Sequence, residues 1–287
     1  MILTIASGKG GTGKTSVAVN LALSLGNVRL LDCDVEEPNA HLLLGQPPTK
    51  TQSVTTPVPQ IDPSKCTLCG DCARFCRYHA LFVAPKEVLF YKDLCHSCGA
   101  CSVVCPTGAI TEVGREIGTL HTATVGDLFL AYGLLDIGEP VVSRLISAVK
   151  RHIVRDALNI LDAPPGTACP VIETMRESDF ILLVAEPTPF GLHDLSLALD
   201  VVEQLGIPRG VVLNRAGLGD DSVHELCISR DVPVLLEIPF DRRIAELYSR
   251  GVPFVTVMPE WAPRFRRMFE HVQEMTKGVQ PSGSSQR

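Results

Sequence analysis

Two stretches of the chain carry residue types and spacings that could do chemistry. Near the start, Gly8-Lys9-Gly10-Gly11-Thr12-Gly13-Lys14-Thr15 sets two lysines among bare glycines. Backbone without side chains brings its N–H groups close to an anion and tolerates the positive φ that such a wrap requires. The chemistry is phosphate binding. Further along, cysteines recur as Cys66-x2-Cys69-x2-Cys72-x3-Cys76 and again as Cys95-x2-Cys98-x2-Cys101-x3-Cys105-Pro106, eight of the eleven in the chain. Three thiolates within seven residues fit three corners of an iron–sulfur cubane, while the fourth of each run reaches the other cluster. The spacing therefore predicts two [4Fe–4S] clusters, one on Cys66, Cys69, Cys72 and Cys105, the other on Cys95, Cys98, Cys101 and Cys76. Zinc is the alternative, but tetrahedral zinc sites gather cysteines as two separated pairs, and neither run is built that way.

The elements around the glycines must hold them rigidly. Residues 2–6 read as a short buried strand, and residues 15–25 as a helix with Val17, Leu21 and Leu25 at helical spacing. The glycine loop then joins a strand to a helix N-terminus, where free N–H groups and the macrodipole favour negative charge. The stretch satisfies G-x-x-x-x-G-K-[ST] in the context that motif demands. Lys14 is expected on the β- and γ-phosphates and the Thr15 hydroxyl on Mg²⁺, with Gly8 to Gly13 and Ser16 completing the nucleotide contacts. Residues 28–31 form an apolar strand ending in Asp32-Cys33-Asp34, which puts carboxylates at the C-terminal end of a strand, where ligands bind in doubly wound sheets. "ALNILDAPPGTACPVIETM" gives strand, tight turn and helix; Asp162 is placed to hold the metal's water shell, and Gly166 to let the turn swing.

Strands alternate with amphipathic helices through "FILLVAEPTP", "GVVLNRAG" and "VPVLLEIPFD", and "EPVVSRLISAVKRHI" reads as a helix starting at Pro140. The fold class expected is α/β: a doubly wound, mainly parallel sheet, interrupted after its second strand by a small α+β cysteine domain. "GQPPTKTQSVTTPVPQ" reads as an extended linker into that insertion. The expected divisions are 1–59 and 114–275 for the nucleotide-binding domain, 60–113 for the insertion, and 276–287 for a disordered tail.

Lys9, the second lysine of the loop, completes K-G-G-x-G-K-T, and on this motif the sequence resembles the MinD/ParA family of deviant P-loop ATPases, relatives of the nitrogenase iron protein. The resemblance implies a nucleotide-dependent homodimer in which Lys9 crosses to the partner's ATP. It also implies that Asp34 orients the attacking water, that Asp32 helps on the Mg²⁺ side, that Asn214 in "LNR" reads adenine, and that Pro239 and Phe240 lie along the base. Residues 61–113 resemble a bacterial two-cluster ferredoxin, including its "CPTGAI" ending, and depart from it at Arg77, where the first repeat would carry proline. A cation there favours the reduced cluster and raises its potential. His96 is expected as a solvated bystander or a tuning donor. Cys169 stands seven residues past Asp162, an offset at which the nitrogenase iron protein carries a cluster ligand; with no second such ligand between residues 105 and 162, a buried thiol is expected.

The 287 residues, 45% hydrophobic and 20% charged, suffice for a large core. A net charge of −6 argues against a dedicated nucleic-acid binder, which needs clustered Lys and Arg. No run reaches the ~20 apolar residues of a membrane span. So many thiols without a secretory pattern point to a cytoplasmic protein with metal or redox centres. Phe265, Met268, Phe269 and Val272 share one face of a last helix expected to pack on the core, membrane binding as in MinD being the alternative. The function expected is an ATP-binding and hydrolysing iron–sulfur protein that gates electron transfer to an unidentified redox partner. The competing reading is an ATP-controlled switch, sensor or cluster carrier.

Overall fold

Eleven strands and ten α-helices follow one another along residues 1–277, the part of the chain that the computed structural model describes. In chain order they are β1 (Ile2–Ala6), α1 (Lys14–Leu25), β2 (Val28–Asp32), α2 (Ala40–Leu44), β3 (Lys50–Ile61), α3 (Asp71–Phe75), β4 (Leu81–Val83), β5 (Val88–Phe90), α4 (Ala100–Val103), β6 (Ile110–Val125) and β7 (Leu128–Leu135). The second part adds α5 (Val142–Lys150), β8 (Leu158–Asp162), α6 (Cys169–Met175), β9 (Phe180–Ala185), α7 (Pro189–Leu205), β10 (Arg209–Ala216), α8 (Ser222–Ser229), β11 (Val234–Pro239), α9 (Arg242–Ser249) and α10 (Trp261–Lys277).

Nine strands form one sheet in the order β11-β10-β9-β1-β8-β2-β7-β6-β3; the run from β11 to β7 is parallel and β6 and β3 are antiparallel. Every residue of β9 is buried, Phe180, Leu182 and Val184 on one face and Ile181, Leu183 and Ala185 on the other. Such a strand needs helices on both sides. Helices α1 and α10 cover the first face and α5 to α8 the second. On α10, Trp261, Phe265, Met268, Phe269 and Val272 are buried against this core, as the spacing predicts. A side chain such as Phe265 contributes about 1.5–3 kcal/mol by leaving water. Thr276 and Lys277 still belong to α10; the rest of the expected tail lies outside the described residues.

The expected linker is a strand. β3 pairs with β6 over its whole length, from Lys50↔Thr122 to Ile61↔Ile110. Pro57 and Pro59, which suggested an irregular segment, sit two apart on the sheet's edge strand, so their missing N–H groups face away from β6 and break no ladder bond. The residues 128–135 and the lower half of β6, absent from the sequence reading, add a hairpin to the body: Gly118 to Val125 pair with Leu135 to Leu128. Above Gly118 the β3–β6 ribbon leaves the sheet, and Ile117 is skipped in the ladder between Val54 and Thr55 and buried in the core instead. Gly118 takes φ +153°, and a Cβ there would lie 2.3 Å from the Leu134 carbonyl oxygen. Beyond this bend, the ribbon carries the cysteine lobe: α3, α4, and the short hairpin of β4 and β5.

Candidate functional site

The glycine loop lies at the carboxyl end of β1, with α1 rising from it. Neighbouring β8 lies between β1 and β2, so the chain crosses over there and the strand ends open a crevice. Gly13 has φ +94°, and a Cβ on it would come within 2.4 Å of the Asn214 amide nitrogen, so the position requires glycine. Asn214 Nδ2 donates to the Thr12 carbonyl at 2.8 Å, and its Oδ1 accepts from the Arg215 N–H at 3.0 Å. The expected adenine reader is thus tied to the phosphate loop itself. The Gly166 N–H donates to the Ser7 carbonyl at 3.1 Å and ties the turn after Asp162 to the same loop.

A cleft of about 400 Å³ opens here, large enough for a nucleotide. Gly10, Gly11, Gly13, Lys14, Thr15 and Ser16 line it together with Asp34, Asn214, Pro239 and Phe240. Of the residues expected around the nucleotide, Gly8, Lys9 and Thr12 do not line this space. Sequence reasoning missed Arg215, Asp241, Ile244 and Tyr248, which also line it. The i, i+4 spacing of Ile244 and Tyr248 on the amphipathic α9 was the available signal.

Three aspartates stand differently around this cleft. Asp162 is fully buried, and neither carboxylate oxygen has a hydrogen-bond partner. Burial pushes its pKa up to about 7, against the pull of the Lys14 ammonium and the nearby Thr15 hydroxyl. A buried carboxylate left without donors beside a buried lysine is suited to a hydrated cation. Asp34 is half-buried on the cleft wall; burial raises its pKa to about 6 even though Lys14 draws it down. Asp32, expected on the metal side, is committed elsewhere. Its Oδ1 accepts the Asp34 N–H and its Oδ2 the N–H groups of Asn39 and Ala40, each at 3.0 Å. It fixes the loop that carries Asp34. Lys9 lies 3.9 Å from Asp194 on α7, a partner the sequence did not reveal.

The cysteines sort into two separate cavities. Cys66, Cys69, Cys72 and Cys105 line one, Cys76, Cys95, Cys98 and Cys101 the other. Each lining takes the last cysteine of the other run. The Ala80 N–H points to Cys76 Sγ at 3.3 Å. At Cys105, slight burial is outweighed by the Thr107 hydroxyl and the N–H groups of Ala109, Thr107 and Ile110, which hold the thiol below its ordinary pKa. Burial instead raises Cys72, and raises Cys101 to about 11. Such N–H donors are what sulfur carrying negative charge requires. Among the described residues, no set of three or more His, Cys, Asp or Glu is placed to hold a single metal ion. His96 stacks on Tyr78 with ring centroids 3.7 Å apart at the rim of the second cavity. Cys169, expected to be buried, is exposed: the buried residues of α6 are Val171, Thr174 and Met175, and Cys169 falls on its opposite face. Cys33 and Cys227 are buried, and burial raises both thiols.

Comparison with known proteins agrees with the body of this structure. The CbiA family, the CobQ/CobB/MinD/ParA nucleotide binding domain, matches residues 3–254. An uncharacterized protein of Methanocaldococcus jannaschii is 32% identical over 261 residues, 89% of this chain and 91% of that one. An iron–sulfur cluster carrier protein of the same organism is 22% identical over 308 residues, 96% of this chain and 85% of its own. Among solved structures, the septum site-determining protein MinD of Pyrococcus horikoshii, complexed with Mg-ADP, shares the fold with a TM-score of 0.59 at 21% identity, over 95% of this chain and 96% of that one. No helix among the described residues is long and apolar enough to cross a membrane. With the family match spanning the strand–glycine loop–helix unit, the crevice and the sheet that builds them, this chain belongs to the CobQ/CobB/MinD/ParA family of nucleotide-binding P-loop proteins.

Proposed function

We propose that this protein binds and hydrolyses ATP with Mg²⁺, and that its nucleotide state gates one-electron transfer to a partner protein through two [4Fe–4S] clusters. The observation that carries the reading is the sorting of eight cysteines into two four-thiol cavities on a lobe joined to a phosphate-binding crevice. When bound, the metal neutralises phosphate charge and the clusters supply one-electron redox capacity.

The chain's own groups divide the remaining work. The loop N–H groups and Lys14 hold the phosphates, and Thr15 with Asp162 holds the hydrated cation. Asp34, ionised at neutral pH, orients water toward the terminal phosphate, while Asp32 keeps that loop in place. Asn214 with Pro239 and Phe240 receives the base. Two copies pair over their nucleotides; Lys9 leaves Asp194 to reach across. Cubanes are preferred to zinc on the cysteine spacing, three thiols within seven residues rather than two separated pairs, and the two four-thiol cavities are in keeping with it.

The names of relatives favour a second reading, ATP-controlled delivery of clusters, since proteins similar to this chain at 22% identity are called iron–sulfur cluster carriers. The test is made on anaerobically prepared protein. Asp34→Ala is expected to abolish ATP turnover and to remove the nucleotide dependence of partner reduction. Partner reduction that stays the same in wild type and variant under every nucleotide condition contradicts gating. Release of iron and sulfide to an apo-acceptor on ATP binding would establish delivery instead.

A further inference from the structure

Helix α5 packs beside β2 and α6, which flank the nucleotide site, and reaches the second cysteine quartet through Arg144. At its N-terminal end the Glu139 side chain, 3% exposed, takes a two-pronged ion pair from Arg115 of the ribbon, with Nη2 to Oε1 at 3.0 Å, and accepts the Val141 N–H at 3.1 Å. Nearby, Arg144 Nη2 donates to the Ser97 carbonyl at 3.3 Å. Ser97 lies between Cys95 and Cys98 with φ +54°, and its hydroxyl is buried in the second quartet's cavity without a partner. Leu68 occupies the corresponding place in the first quartet, with φ +56°, and offers no donor.

The same helix is fastened to the nucleotide site. A Cβ placed on Gly133 would meet Leu145 of α5 and Val35 at 2.8 Å each, and both side chains belong to one buried cluster, so the helix shares its packing with the residue that follows Asp34. At its C-terminal end Lys150 Nζ donates to the carbonyls of Glu173 at 2.6 Å and Arg176 at 2.9 Å. Those carbonyls close α6, which begins directly after the turn from Asp162. A movement of either loop therefore pushes on a nine-residue rigid element. At 3.3 Å the Arg144 bond is near its limit, so a small shift breaks it.

The geometry points to Arg144 as the positioning residue that carries nucleotide state to the second cysteine quartet and leaves the first untouched. It acts through the Ser97 loop, whose buried hydroxyl faces the group the quartet holds; hydrogen bonds to cluster sulfur set cluster potential. This rests on the proposed ATP and [4Fe–4S] reading. Arg144 itself is exposed, so its truncation removes the bond without opening the core.

The test uses full-length, anaerobically loaded wild type, Arg144→Ala and Arg144→Lys, titrated redox-wise under EPR with no nucleotide, Mg-ADP or a non-hydrolysable Mg-ATP analogue. Iron content and nucleotide affinity are measured on the same samples. In wild type one of two cluster signals is expected to change potential with nucleotide. Arg144→Ala abolishes that change while holding about eight irons and binding nucleotide within about two-fold of wild type, the affinity left by a change outside the cleft. Arg144→Lys, which keeps a donor, restores part of it. A full nucleotide response in Arg144→Ala overturns the assignment, as does an equal response of both clusters in wild type. Loss of iron in Arg144→Ala with a normal Arg144→Lys marks a merely structural role and also overturns it. No response in wild type that holds iron and nucleotide overturns gating together with Arg144. Absence of iron overturns the cluster reading beneath both.

Discussion

The body and the cysteine lobe solve the problem of holding a charged group in opposite ways. The body buries its site in a sheet covered on both faces, and β9 between its helix layers is buried at every position. Its fold stands on apolar contact, and it can keep a carboxylate such as Asp162 without partners in the middle of it. The lobe has almost no core. Among residues 62–109 only Cys72, Ala80, Leu81, Cys95, Ser97 and Ala109 are buried, while Phe75, Phe82 and Val103 are 61%, 57% and 85% exposed. A segment of this size cannot stabilise itself by burial and needs a metal or other staple. On the proposed reading, the nucleotide would be a guest of a finished structure, whereas iron would be part of the lobe's framework.

The largest effect follows from that contrast. Stripping iron with a chelator under reducing conditions is expected to collapse amide protection across residues 62–109 while β1, β8 and β9 stay protected, as hydrogen exchange reads directly. Equal protection of the lobe with and without iron would break the comparison. Next in size, Cys95→Ser, which on the proposed reading removes one ligand of the second quartet, is expected to lower bound iron by about half, with the first cluster's signal retained. Loss of both clusters would show that the lobe folds as one metal-dependent unit rather than two.

Within the body, Asp162 gives a pH signature. Its carboxyl titrates at about 7 when folded against an ordinary value of 3.8, so the folded apo protein takes up a proton across that window. The contribution of Asp162 to apo stability is therefore greatest in acid, declines as pH rises from about 4 to about 7, and levels off above. If Asp162 holds the cation in its ionised form as proposed, Mg-nucleotide affinity should weaken as pH falls below about 7, and Asp162→Asn should flatten this dependence; titration calorimetry at pH 6 and 8 measures both. The smallest effect belongs to Asp194. Its pairing with Lys9 at 3.9 Å is partly exposed, and Asp194→Ala should change stability by less than about 1 kcal/mol in thermal unfolding.

The sequence announced what is local and periodic. The glycine loop between β1 and α1 and the buried stripe of α10 are each set by spacing within a few residues. It concealed what depends on distant pairing. β3 carries two prolines and many threonines, and only its antiparallel partner some 60 residues on makes it a strand. Asp194, Tyr248 and Arg144 reach their sites from helices whose sequences read simply as amphipathic. Cys169 was misread because a lone thiol defaults to the core, whereas its place on the exposed face of a short helix is set by Val171 and Met175 packing on the other side.

The central claim is that one chain joins a Mg-ATP site to two iron cubanes. Quantification of iron, acid-labile sulfide and zinc per chain in anaerobically prepared protein, with nucleotide retention measured on the same sample, tests it most directly. The account predicts about eight irons and eight sulfides with Mg-nucleotide bound; stoichiometric zinc in the lobe, or a crevice that keeps no nucleotide, would contradict it.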